Sequence, residues 1–246
     1  MSLLFIISLL IQAGFIIHVI KTGRNQLWIW VLIIPGLALA GILAYVVVEI
    51  LPVLFRSRTA RRTARGFRKA IDPGADLRRY EQEARVGGNV ASRQRYAQEL
   101  VRHGRFDDAI GQYRETLTGL YEHDPDLMLG LAQAQFGKGD AAAARTTLDE
   151  LIRLNPDFRS PDGHLLYARA LEAEGNVQKA LEEYQALASS YPGAEAAVRY
   201  AQLLQAQGRR AEAQKVAREL LEQARIAPGH YRRAQRSWLQ AAERLL

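Results

Sequence analysis

Four glycines, Gly104, Gly139, Gly175 and Gly208, recur 35, 36 and 33 residues apart, and this ladder limits what the chain can fold into. Each sits in the same local pattern, an alanine seven residues before it and another five residues after it. The four copies are Ala97-x-x-Leu100 to Gly104-Arg105-Phe106-x-x-Ala109; Ala132-x-x-Gln135 to Gly139-Asp140-Ala141-x-x-Ala144; Ala168-x-x-Leu171 to Gly175-Asn176-Val177-x-x-Ala180; and Ala201-x-x-Leu204 to Gly208-Arg209-Arg210-x-x-Ala213. A fixed period of this length marks one helical hairpin per unit, and stacking buries the apolar face that one unit cannot bury alone.

The pattern resembles the tetratricopeptide repeat, a helix-turn-helix of 34 residues. The resemblance implies an all-α solenoid in which the two alanines mark the crossing of paired helices, where a large side chain would force them apart. Glycine supplies the turn conformation between them. Asp124-Pro125, Asn155-Pro156 and Tyr191-Pro192 are read as the ends of successive second helices, because a residue before proline disfavours the helical region. Four repeats are expected, over about 90–125, 126–160, 161–193 and 194–226. Their first helices are predicted at Val90–His103, Asp126–Lys138, Pro161–Glu174 and Ala194–Gln207. The second helices follow at Phe106–Glu122, Ala141–Leu154, Val177–Ser190 and Arg210–Ala224, the first of these one turn longer than the rest. Ser160 reads as an N-cap followed by a helix-initiating Pro161.

The ends of the array are also legible. Ala75–Val86 is predicted as a short helix with Leu77, Tyr80 and Ala84 on one side, closed by Gly87-Gly88-Asn89. Residues 56–89 thus form a basic arm and linker helix. After Pro228-Gly229, His230–Leu246 is read as one capping helix in a segment spanning 227–246, with Tyr231, Ala234, Trp238, Ala241 and Leu245 on the last repeat and Arg232, Arg233, Arg236 and Arg244 in water.

Charge is unevenly distributed. The formal net charge is +7, but residues 1–70 hold nine Lys and Arg against the single acid Glu49, whereas the remainder holds 24 basic and 25 acidic residues. A broad basic face for nucleic-acid backbones is therefore not supported. The chain has no cysteine, which excludes disulfides, thiol nucleophiles and cysteine-ligated zinc.

Leu3–Ile20 is an apolar run broken only by Ser8, Gln12 and His18, and Leu27–Leu51 is apolar until Glu49. As helices they reach about 27 and 37 Å, enough to cross a hydrocarbon core of about 30 Å. The first lacks the basic start and small-residue cleavage site of a signal peptide. Residues 1–55 are accordingly read as a transmembrane hairpin with spans at about 3–20 and 27–51. Gly36, Ala40 and Ala44 form a small-residue stripe where another helix can approach, and Trp28, Trp30 and Tyr45 suit the two interfaces. Arg56, Arg58, Arg61, Arg62, Arg65, Arg68 and Lys69 follow without an acid. By the positive-inside rule they place this arm, and with two spans both termini, in the cytoplasm. The arm could also rest on anionic headgroups.

Lys21-Thr22-Gly23-Arg24, Trp28-Ile29-Trp30 and Pro35-Gly36 with Gly41 and Tyr45 resemble the N-terminal membrane domain of phospholipase D-type cardiolipin synthases. The resemblance covers about residues 1–55. The catalytic His-x-Lys-x4-Asp motif of that family is not carried over: none of His18, His103, His123, His164 and His230 has lysine two residues later.

In tetratricopeptide repeats the concave surface is lined from the first helix of each pair. Mapped by that resemblance, the candidates for a protein-binding groove are Gln94, Gln98, Arg102, Leu129, Gln133, Phe136, Leu165, Arg169, Glu172, Val198, Gln202 and Gln205. Gln98, Gln133, Arg169 and Gln202 share one repeat position and form a polar row able to hold an extended peptide or a partner helix. The lysine and asparagine clamp that binds chaperone C-termini is missing from these positions. No catalytic, cofactor or metal motif is present. The expected function is a non-enzymatic, membrane-anchored scaffold on the cytoplasmic side of a bacterial inner membrane, in an envelope or lipid-related assembly. The alternative is an accessory subunit of a membrane enzyme or transporter, contacted through its spans.

Overall fold

The computed structural model describes residues 74–246, together with positions 17, 21 and 72. The chain divides into two compact units, Met1–Ala75 and Asp76–Leu246. Apart from Ile17, both expected spans lie outside the described residues, as do Gly36, Ala40 and Ala44 and the arm residues Arg56, Arg58, Arg61, Arg62, Arg65, Arg68 and Lys69. Among the described residues no helix is long and apolar enough to cross a membrane.

The described elements are helical: α1 Ala75–Gly87, α2 Val90–Arg102, α3 Phe106–Thr116, a 3-10 turn Gly119–Tyr121, α4 Pro125–Lys138, α5 Ala141–Leu154, α6 Pro161–Ala173, α7 Val177–Ser190, α8 Glu195–Ala206, α9 Arg210–Ile226, α10 Gly229–Ala234 and α11 Arg236–Glu243. From α2 to α9 each helix packs on the next as a succession of antiparallel hairpins, while α4 also touches α2 and α6. The four pairs are α2/α3, α4/α5, α6/α7 and α8/α9. The core runs along the array, from Leu100 and Tyr113 in the first pair, through Leu148 and Leu166, to Tyr184 and Leu204 in the last two.

The turns inside the four pairs are near copies. Gly104, Gly139, Gly175 and Gly208 take φ values of 72, 94, 79 and 78°. The N–H of the following residue reaches the carbonyl five residues back in every case: Arg105 to Leu100, Asp140 to Gln135, Asn176 to Leu171 and Arg209 to Leu204, at 2.9–3.0 Å. That is the Schellman closure, which a left-handed residue permits. The alanine pairs lie where expected. Ala97, Ala132, Ala168 and Ala201 are at most 1% exposed, as are Ala109, Ala144, Ala180 and Ala213.

Three local expectations are corrected. The first long second helix stops at Thr116: the Thr116 hydroxyl donates back to the Gln112 carbonyl at 2.7 Å, and Gly119 at φ 58° starts a separate turn. Asp124-Pro125 opens the next helix rather than ending the last, because the Asp124 carboxylate accepts the Leu127 N–H at 3.0 Å and Pro125 stands at N1, where its missing N–H costs nothing. The C-terminal cap is two short helices broken at Gln235, whose Oε1 accepts the Ala194 N–H at 3.1 Å. Trp238, Ala241 and Leu245 join the last core cluster, but Ala234 is exposed. Ser160 caps α6 as expected, accepting the Gly163 N–H at 3.0 Å.

Two helical glycines separate steric need from helix propensity. A Cβ on Gly130 of α4 would lie 2.4 Å from the Tyr113 ring, and Tyr113 is only 1% exposed and has little room to yield. A Cβ on Gly111 of α3 would meet nothing within 4 Å. Gly130→Ala should therefore destabilise by about 1–3 kcal/mol through overpacking, although alanine is the better helix former. Gly111→Ala should stabilise by about 0.5–1 kcal/mol. Urea unfolding midpoints followed by circular dichroism check both signs.

Candidate functional site

The first helices of the pairs, α2, α4, α6 and α8, bring Gln98, Gln133, Arg169 and Gln202 to equivalent positions. Gln98, Gln133 and Gln202 are exposed. None of them forms a side-chain hydrogen bond among the described residues. Arg169 is half-buried and stacks on Phe136 of the preceding pair, its guanidinium carbon 4.7 Å from the ring centroid. Its Nε is buried without a hydrogen-bond partner. A stacked guanidinium is held in place by its flat face while its edge stays free to donate.

The other candidates separate by how much of their bonding capacity is used. Gln94 is half-buried and Gln205 exposed, and neither has a side-chain partner among the described residues. Arg102 donates to Glu99 at 2.8 Å, and Glu99 is itself 3% exposed. Glu172 accepts the Tyr184 hydroxyl at 2.6 Å. Leu129 is half-buried and packs on a core cluster with Phe136. Leu165 and Val198 are core residues, 4% and 1% exposed, and so do not line a groove. Both are aliphatic residues on helices packed from two sides, and their side chains sink into the seam rather than project from it.

Several polar pairs were not singled out in the sequence. Gln135 is 5% exposed and accepts from Thr147 across the α4/α5 hairpin at 2.8 Å. Asp162 accepts the Tyr191 hydroxyl at 3.0 Å. Arg145 bridges two pairs, reaching Glu174 at 2.9 Å and Asp149 at 2.7 Å. Arg199 bonds Glu195 at 2.8 Å and lies 5.4 Å over the Trp238 ring. Only the i,i+4 members of this set have a sequence signal; the rest depend on contacts between repeats.

A cleft of about 400 Å³ opens between α5, α6 and α7. Leu148, Leu151 and Leu187 line it, with Ile152 and Phe158 beside them. His164 at its edge is not an isolated surface histidine, since its Nε2 lies 2.6 Å from Glu183 Oε2. Of the serine hydroxyls that line it, Ser160 accepts the Gly163 N–H and Ser190 donates to the Ala186 carbonyl. No group of three or more metal-ligating side chains is present among the described residues.

Tyr184 gives the site a pH signature. Desolvation and, secondarily, its bond to Glu172 push the phenol far above its ordinary value of 10.0. The folded state thus binds this proton more tightly, so the stabilisation is complete below pH 10 and is lost as pH rises toward the folded value. Unfolding midpoints measured from pH 9 to 11 should fall, and fall less in Tyr184→Phe. That variant should also lose about 1–2 kcal/mol at neutral pH, where Glu172 is left without its donor.

Residues 96–157 match a family model described as "Tetratricopeptide repeat", and residues 162–194 match a second model of the same description. The comparison with curated proteins returned no match. Similar solved structures include a MamA protein (22% identity, TM-score 0.52), with 67% of this chain and 92% of that one covered. Another is a thermophilic TPR protein in Thermus thermophilus (21% identity, TM-score 0.50), with 67% and 89% covered. At such identity the likeness is one of fold.

Proposed function

We propose that this chain, whose helical pairs are tetratricopeptide repeats, is a membrane-anchored scaffold that holds a protein partner along the first-helix row of the array. The observation that carries this reading is the unspent bonding capacity of the row. Gln98, Gln133 and Gln202 are exposed with no side-chain partner among the described residues, and Arg169 Nε is buried without one. An extended or helical segment laid along the row would bond the exposed glutamines at their repeat positions, with the stacked Arg169 between them. The glutamines can each donate and accept, which suits main-chain amides; Arg169 can only donate.

Anchoring is supported by the sequence: two apolar runs long enough to cross a bilayer, followed by seven basic residues and no acid between Arg56 and Lys69. In this reading the array stands on the cytoplasmic side of a bacterial inner membrane, where an envelope or lipid-related assembly recruits it. Two measurements test the two halves. The chain should stay in the membrane pellet after alkaline extraction, and release into the supernatant would remove the anchor. The fourfold variant Gln98→Ala, Gln133→Ala, Arg169→Ala and Gln202→Ala should keep its helical spectrum yet lose proteins that co-purify from solubilised membranes. An unchanged set of co-purifying proteins would eliminate the row as the binding site.

A further inference from the structure

The near-neutral total of residues 71–246 conceals a separation of charge. Residues 71–208 hold 15 basic and 21 acidic residues, whereas residues 209–246 hold nine basic and four acidic ones. In this second stretch Arg209 pairs with Glu212, Lys215 with Glu219 and Arg225 with Glu222. Arg210, Arg218, Arg232, Arg233, Arg236 and Arg244 remain, all exposed, and none forms an ion pair among the described residues. They are not scattered. Arg210, Gln214 and Arg218 succeed one another at i, i+4 and i+8 on α9, and Arg236, Gln240 and Arg244 do the same along α11 and its C-cap. Each stripe is about 12 Å long at 1.5 Å per residue. The Gln214 amide donates to the Leu246 carbonyl at 2.8 Å, which ties the end of the second stripe to the middle of the first.

We propose that this arginine belt at the C-terminal end of the array docks on an anionic bilayer surface. Four guanidinium groups in two tied stripes, with α10 adding Arg232 and Arg233, match a plane of phosphate headgroups by charge. Leu246 is 52% exposed and provides an apolar side chain beside the belt, which suits a lipid interface and has no use against a phosphate backbone. Of the Tyr and Trp rings in this segment, Trp238 packs against the core beneath Arg199 and Tyr231 is half-buried, so neither is a fully open platform for stacking bases. The acidic excess of residues 71–208 would repel a polyanion that followed the array, which leaves a surface met at one end. This belt is separate from the polar row. The proposal rests on the anchored reading only for the lipid being within reach.

The absence of native cysteine allows a single reporter, Gln240→Cys carrying an environment-sensitive dye, in the full chain reconstituted into vesicles. With phosphatidylglycerol present, the emission should shift to the blue and be quenched by headgroup-labelled lipid; with phosphatidylcholine alone it should not. Salt at about 1 M, where the Debye length is about 3 Å, should reverse the shift. Replacing Arg210, Arg218, Arg236 and Arg244 with Gln should abolish it, at about five-fold in docking equilibrium per arginine, whereas Lys at the same four positions should retain it. Equal emission in the two lipids would overturn the proposal, and so would a shift produced by duplex DNA but not by anionic vesicles. Alkaline extraction of the same vesicles reports anchoring separately. A chain that is extracted yet shows the salt-sensitive shift retains the docking and loses the anchor, and the opposite result does the reverse.

Discussion

Close approach of helices at small side chains is the constraint on which the array depends. At each crossing an alanine of the first helix and an alanine of the second are buried almost completely, which leaves no room for a larger side chain without moving a neighbour. A leucine at such a point cannot rotate away, because the same helix is packed against the neighbouring pair. The requirement repeats once per hairpin and is local each time. The core therefore grows by addition along the chain, and contacts run mainly between elements adjacent in sequence. Gly130 shows the same logic at a site outside the repeat pattern, where the first pair's Tyr113 occupies the space a side chain would need.

Polar groups follow a different rule at the seams than on the open row. Several buried or half-buried ones are matched across a hairpin: Tyr184 with Glu172, Gln135 with Thr147, His164 with Glu183. An unmatched group at those depths would carry its full desolvation cost. The glutamines of the first-helix row lie in water, where an unused amide costs nothing until a partner arrives. Arg169 departs furthest from this rule, with a buried Nε that no side chain or carbonyl meets. Its stacking on Phe136 offsets some of that cost and fixes the direction in which it can donate.

Periodic features are readable from the sequence and aperiodic ones are not, for a physical reason. The glycine turns, the alanine crossings and the eight paired helices follow from residue type at a repeating position, and the structure has them within a few residues, α3 excepted. Asp124-Pro125 misleads because proline both ends and begins helices, and only the bond from Leu127 N–H to the aspartate decides which. The break at Gln235 has no local signal at all; there the side-chain amide reaches 41 residues back to Ala194. Leu165 and Val198 fall in the groove by position number, yet aliphatic side chains at a two-sided seam bury themselves. The charge separation is hidden for the opposite reason, since summing over the whole array cancels two unlike regions.

Stability and the proposed recognition consequently draw on different residues. Small apolar side chains at the crossings hold the pairs together, and none of them reaches the open row. The row's glutamines form no side-chain hydrogen bond among the described residues, so replacing them leaves the stacking of the pairs unchanged. The same division applies at the C-terminal end, where Trp238, Ala242 and Leu245 cover the last pair while the arginines of the same segment point outward unpaired. A helix that closes a core on one side can therefore carry an independent surface on the other, with the sequence between Arg236 and Leu246 serving both at once.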